Sequence, residues 1–186
     1  MKSYTDREVI YSKGKNDEYY TLDYGVKPIL KYIPNDWTVW CPFDTEESEF
    51  VKQIRKNGNK VIHSHIMYGQ DFYKYEPEEE WDCIISNPPF TNKRLIFERC
   101  LDLGKPFALI MTTTWLNESA PTKIFLERNR QIQILMFDKR MKFRNPKGEI
   151  QNKITFNSCY FCCDFLPRDL IQEYLIIEDK NQTKLL

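Results

Sequence analysis

Apolar residues recur along this chain in two rhythms, one helical and one strand-like, and the way these rhythms alternate predicts the architecture. Residues 24–33 place Val26, Ile29, Leu30 and Ile33 at helical spacing, which predicts a short helix with one buried face. Residues 37–43 form a β-rich run that stops at Pro42 and reads as a buried strand. Asp44 and Thr45 then stand where a cap belongs, ahead of a helix over residues 46–57 whose Phe50, Val51 and Ile54 face inward and which Gly58 ends. Residues 60–65 read as a second strand and residues 81–86 as the next. A helix follows over residues 93–103, closed by Gly104, then a strand over 106–113, a helix over 122–130 and a strand over 132–137. Residues 154–165 alternate like one or two paired strands. Residues 1–18 are charged and irregular, and the polar tail from about residue 178 is expected to fray.

Strands alternating with helices of this length predict an α/β fold with a doubly wound, mostly parallel sheet. The last two strands have no helix between them, so an antiparallel C-terminal hairpin is expected at one edge. At 186 residues the chain reads as a single domain, with its core over about residues 17–165. Lys plus Arg and Asp plus Glu number 27 each, so no global charge excess points to nucleic acid, and any such binding must come from a local patch. No apolar run approaches the ~18 residues of a membrane span. The six cysteines (41, 83, 100, 159, 162 and 163) sit mostly inside apolar runs with no disulfide-scaffold spacing, which fits reduced thiols in a cytoplasm.

The strand over residues 81–86 runs into Asn87-Pro88-Pro89-Phe90. The prolines fix φ and carry no N–H, and Asn87, standing before Pro88, is pushed into an extended conformation. The corner offers the Asn87 side-chain oxygen, the Pro88 carbonyl and an adjacent ring. Two acceptors and a stacking face suit a flat molecule bearing an NH2 group; as bare structure, the same residues make a Pro-rich turn. An Asn-Pro-Pro-aromatic corner after an apolar strand resembles the catalytic motif of S-adenosylmethionine-dependent amino-methyltransferases, above all small phage-type adenine-N6 DNA methyltransferases. That resemblance implies the class I, Rossmann-like methyltransferase fold and S-adenosyl-L-methionine as cofactor, with Asn87, Pro88, Pro89 and Phe90 as the catalytic corner.

In open α/β sheets ligands bind beyond the carboxyl ends of the strands. The first strand ends in Cys41-Pro42-Phe43-Asp44, where the family carries an Asp-Pro-Phe and a Gly-rich loop; here the acid is Cys41 and no glycine follows until Gly58. Pro42, Phe43 and Asp44 remain cofactor candidates by this resemblance, with Asp44 facing the methionine ammonium; otherwise Asp44 is only a helix cap. The second strand ends in His63-Ser64-His65 in place of the family's acid, read as neutral strand-end histidines with no metal, since no third ligand lies nearby. Asp71-Phe72 matches the family's Asp-Phe pair, whose carboxylate accepts the cofactor's adenine amine; its plain reading is a turn Asp with a core Phe. Thr21 lies where the family has a Thr-Pro element, with Leu22 replacing the proline.

Residues 139–148 hold five positive charges in ten, the one dense basic stretch. Lys142 and Arg144 are candidates for phosphates and Phe143 for the far face of a flipped base; the alternative is a solvated loop with a core Phe. Cys159, Cys162 and Cys163 read as core, and Thr112 to Trp115 as rim packing. The expected partner is nucleic acid, DNA ahead of RNA, with no membrane. No separate target-recognition domain is expected within 186 residues, and a partner protein that supplies target choice is one expectation. Rival readings keep the fold and change the substrate to an RNA base or a protein glutamine, or make the chain a degenerate nucleic-acid-binding module. A nucleotide-sugar enzyme of Rossmann type would need a Gly-rich phosphate loop that the N-terminal region lacks.

Overall fold

A computed structural model of the protein describes residues 19–151 and 155–177. In chain order the elements are β1 (Tyr20–Thr21), α1 (Asp23–Leu30), β2 (Thr38–Cys41), α2 (Glu49–Lys56), β3 (Lys60–His63), β4 (Cys83–Ser86), α3 (Lys93–Leu103), β5 (Phe107–Thr112), α4 (Ser119–Leu126), β6 (Gln133–Phe137), β7 (Phe143–Arg144), β8 (Ser158–Cys163) and β9 (Leu170–Glu173). Short 3-10 turns lie at Ile66–Tyr68 and Thr113–Asn117. The expected tail from about 178, the N-terminal residues 1–18 and Ile154 fall outside the described residues.

Side-chain alternation along the strands feeds two separate cores, one on each face of the sheet. Val39, Cys41, Cys83, Ile85, Ala108, Ile110, Tyr160 and Cys162 point to the face covered by α1 and α2, with Val26, Ile29, Phe50, Val51 and Ile54. Trp40, Ile84, Phe107, Leu109, Met111, Cys159, Phe161 and Cys163 point to the other, covered by α3 and α4 with Ile96, Phe97, Ile124 and Phe125. Successive residues serving opposite cores is the period-two rule of a strand, and a sheet covered on both faces needs the continuous apolar runs seen in the sequence. Each large side chain buried this way contributes about 1.5–3 kcal/mol. All six cysteines are buried free thiols, as their placement in apolar runs implies.

The main sheet has seven strands in the order β3-β2-β4-β5-β8-β6-β9. β3, β2, β4 and β5 are mutually parallel, β8 runs antiparallel between β5 and β6, and β9 is parallel to β6. The doubly wound, mostly parallel sheet is therefore present. Its antiparallel pair is not at an edge: β8 is inserted inside the sheet, and the edge belongs to β9, a strand the periodicity does not announce. From β2 the chain steps outward to β3, then returns past β2 to β4. This reversal makes the carboxyl ends of β2 and β4 the topological switch point, where the connecting loops diverge and leave a crevice. Among the described residues no helix is long and apolar enough to cross a membrane.

Candidate functional site

A cavity of about 820 Å3 opens at this switch point, within the ~300–1,000 Å3 usual for small-molecule sites. Its wall contains Thr21, the Pro42-Phe43-Asp44 turn, Phe72, the whole Asn87-Pro88-Pro89-Phe90 corner and Arg144. Sequence segments more than a hundred residues apart thus meet in one concave surface.

The turn after β2 is made without glycine because none of residues 42–48 takes a positive φ. Side chains therefore stand where a Gly-rich loop would expose backbone. Asp44 does not cap α2, which starts three residues later than the sequence suggests; Ser48 is the cap, accepting the Phe50 N–H at 3.2 Å. The Asp44 carboxylate instead accepts hydroxyl hydrogen bonds from Ser48 on one oxygen and from Ser86 on the other. Its backbone N–H donates to the Ser64 carbonyl at 3.2 Å, beyond the end of β3. Burial pushes the Asp44 carboxyl up to about 6, against the lowering effect of the two serines.

At the end of β4, Asn87 donates from Nδ2 to the Tyr19 carbonyl at 2.9 Å. A carbonyl only accepts, so this contact fixes which side-chain atom is which. Asn87 Oδ1 is buried and has no hydrogen-bond partner among the described residues, and the same holds for Thr21 Oγ1. Leaving a buried polar atom unpaired costs about 1–3 kcal/mol. These two belong to residues that line one cavity, while His63 Nδ1, Trp115 Nε1 and Ser158 Oγ are unpartnered away from it. Phe90 is half-buried and meets Phe156 edge-on at 5.5 Å between centroids.

Phe43 and Phe72 form an aromatic wall, with centroids 4.8 Å apart and planes tilted by 56°. Arg99 of α3 holds this side in place: Nε donates to the Phe72 carbonyl at 2.6 Å and Nη2 to the Tyr75 carbonyl at 3.3 Å. Asp71 is not part of the wall. Its Oδ1 accepts the Tyr73 N–H at 3.1 Å and its carbonyl accepts from Lys74 and Tyr75 at 2.8 and 2.7 Å. An Asp at the head of a tight turn satisfies its own backbone, and that local demand takes the carboxylate away from the cavity.

The basic stretch is only partly a loop. β7 pairs antiparallel with β1, matching Thr21 to Phe143 and Tyr20 to Arg144. Alternation then decides the fate of each side chain: Met141 and Phe143 point inward while Lys142 and Arg144 point outward. Phe143 is fully buried in the core, edge-on to Tyr19 at 6.2 Å, and has no face to offer a base. The expectation that it stacks on a substrate is corrected. Arg144 reaches the cavity wall and donates from Nη1 to the Gly148 carbonyl at 3.0 Å; Lys142 is exposed and lies outside that wall.

The strand-end histidines separate. His63 ends β3 with Nε2 2.9 Å from Glu46, while His65 lies past the strand, accepts the Met67 N–H at 3.2 Å and lines the cavity. Sequence reasoning passed over Ser48, Ser64 and Ser86. The available signal was a serine closing an apolar strand at position 86, a polar residue that no helix or turn there requires.

The residues present fit the cofactor implied by the resemblance. A buried carboxylate whose pKa burial raises favours a positively charged neighbour, the aromatic wall suits a purine ring, and Thr21 Oγ1 with Arg144 can serve a carboxylate.

No family model and no curated protein matches the sequence. Among solved structures, the chain is similar to a Listeria monocytogenes protein assigned to the class I S-adenosylmethionine-dependent methyltransferases, at 10% identity and TM-score 0.47; it covers 84% of this chain but spans 65% of that protein. It is also similar to a release-factor-specific protein-(glutamine-N5) methyltransferase from Alicyclobacillus acidocaldarius, at 14% identity and TM-score 0.37, covering 73% of this chain and 85% of that one. A precorrin-6y C5,15-methyltransferase from Geobacter metallireducens is similar at 11% identity and TM-score 0.40, covering 80% and 94%. Likeness at this level concerns the course of the chain alone.

Proposed function

We propose that this protein is an S-adenosylmethionine-dependent methyltransferase acting on an exocyclic amine, adenine N6 in DNA before other targets. The observation that carries the reading is the unpartnered, buried Oδ1 of Asn87 on the wall of the switch-point cavity. When bound, S-adenosylmethionine supplies an electrophilic methyl group on a sulfonium. The chain's own residues orient what receives it. An aromatic amine is a poor nucleophile because its lone pair is delocalised into the ring. Asn87 Oδ1, with the Pro88 carbonyl as second acceptor, takes the amine's hydrogens and favours a tetrahedral nitrogen whose lone pair is free to attack. The nitrogen held at this corner would give up one proton to water on accepting the methyl group, so no residue of the chain has to act as a strong base. Positioning and oriented dipoles do this work.

Phe90 lies next to the acceptors and supports a planar, ring-bearing substrate over an aliphatic one. Arg144 on the rim suits a phosphate, as nucleic-acid substrates require. The base must be unpaired or flipped to reach the corner. Localisation in a cytoplasm and a separate specificity partner belong to the same proposal.

The test is transfer of labelled methyl from S-adenosylmethionine to DNA, RNA and a glutamine-bearing peptide in parallel. Label on adenine N6 of DNA is expected. Label only on RNA or peptide would keep the chemistry and replace the substrate, and no label on any of the three would favour the binding-module reading.

A further inference from the structure

Asp44 occupies a peculiar place for a residue on a cofactor wall. Both of its carboxylate oxygens already accept a serine hydroxyl, one from the start of α2 and one from the end of β4. Its backbone N–H is bonded to Ser64, next to the end of β3. Ser64 and Ser86 are completely buried, and Ser64 Oγ accepts the Trp40 indole N–H at 2.9 Å. One residue therefore ties the end of β2 to the ends of β3 and β4 and to the start of α2, the β3 link through its backbone and the other two through its side chain. The residue its carboxylate grips on β4 is the immediate neighbour of Asn87.

We propose that Asp44 is a positioning residue for Asn87, acting through Ser86, and that the same carboxylate couples the acceptor corner to the start of α2 through Ser48. This rests on the proposed function only for the role given to Asn87; the coupling itself is a property of the fold. The physical basis is the proton count of the three groups. Each serine has one hydroxyl proton, and an ionised carboxylate can accept both. A protonated Asp44 must donate from one oxygen, so one serine has to turn its own proton elsewhere and both bonds readjust together. A change at Asp44 is thus felt on both arms.

Other titratable groups surround this point. Cys41 on β2 and Tyr160 on β8 are pushed upward by burial and stay neutral in the range concerned. Glu47 and Glu49 at the start of α2, His65 beyond β3 and Arg144 on β7 share the cavity wall. The experiment must therefore separate Asp44 from them by substitution.

The purified protein, labelled with 15N at asparagine and phenylalanine, is titrated between about pH 4 and pH 8 by NMR. The reporters are the Asn87 side-chain amide and the Phe50 backbone amide, which Ser48 caps. Both are expected to shift with one shared midpoint, near the value of about 6 that burial imposes on Asp44. Asp44→Asn should abolish both responses. Ser86→Ala should abolish the response at Asn87 and spare Phe50; Ser48→Ala should do the reverse. An Asn87 signal that does not titrate in wild type, that still titrates in Asp44→Asn, or that is indifferent to Ser86→Ala overturns the proposal. If Asp44→Asn does not fold, the two serine variants decide the question alone. None of these readings needs methyl transfer. S-adenosylhomocysteine calorimetry on wild type is run beside them, and its failure would count against the proposed function while leaving the coupling intact.

Discussion

After β2 the chain turns through Pro42-Phe43-Asp44, and both oxygens of the Asp44 carboxylate are engaged by neighbouring serines. After β4 it turns through Asn87-Pro88-Pro89-Phe90, where one end of the Asn87 amide is anchored to Tyr19 and the other is left without a partner. The two lips of one cavity thus treat their polar groups in opposite ways. A lip that completes its own hydrogen bonds holds the scaffold, and damage to it is read as lost stability. A lip that keeps an acceptor unsatisfied by the protein leaves it for a bound ligand or water, and damage to it is read as lost chemistry.

Asn87→Ala breaks the comparison most strongly. Methyl transfer should fall at least ~100-fold, the scale for a lost preorganised polar contact, while unfolding free energy changes by no more than the ~0.5–1.5 kcal/mol of one hydrogen bond. Initial rates and urea melts check both halves. Full retention of activity would remove Asn87 from the mechanism.

The Asp44 lip should respond through pH. Burial lifts its carboxyl to about 6 in the folded chain, against roughly 3.9 when unfolded, so the native state binds the proton more tightly. Its contribution to stability is therefore greatest below the unfolded value and is lost as pH rises toward 6. Compared with Asp44→Asn, wild type should gain roughly 2–3 kcal/mol of stability between pH 7 and pH 4. A difference that stays flat across this range would mean the carboxyl titrates as if exposed.

Smaller effects should distinguish the basic residues. Arg144→Ala should reduce the slope of nucleic-acid affinity against salt by about one phosphate contact, and Lys142→Ala by less, since only Arg144 reaches the cavity. Equal slopes for both would point to a diffuse surface patch. The smallest expected change is at Gly25, where an added Cβ would lie 2.9 Å from Thr21 Cγ2. Gly25→Ala should displace Thr21 and cost ligand binding on the order of 1 kcal/mol, readable by calorimetry.

Much of this was legible in the residues. Helix α3 has the bounds its periodicity predicts, because Gly104, at a φ of +72°, stops it cleanly. The corner at Asn87 stands at the end of its strand because two prolines leave the chain few alternatives. The sequence pattern sets the start of α2 too early because Asp44, a natural cap, bonds to Ser86 of β4 instead, a choice that exists only once β4 is alongside. The interior position of β8, all six of whose residues are buried, departs from the edge hairpin the sequence suggests, because β9 adds a further strand beyond β6. β9 escaped notice because its four residues alternate between exposed and half-buried, a weak signal. The burial of Phe143 follows from a two-residue pairing with β1 across more than a hundred positions, which no local pattern encodes. The orphaned Asn87 oxygen likewise depends on where the Tyr19 carbonyl comes to rest.

The central claim is that this cavity receives S-adenosylmethionine beside Asn87, despite a turn after β2 that has no glycine. Isothermal titration of the purified protein with S-adenosylhomocysteine tests it without requiring a substrate. One site per chain is expected, with at least micromolar affinity, about −8 kcal/mol. An absence of heat and of competition at millimolar ligand would contradict the account.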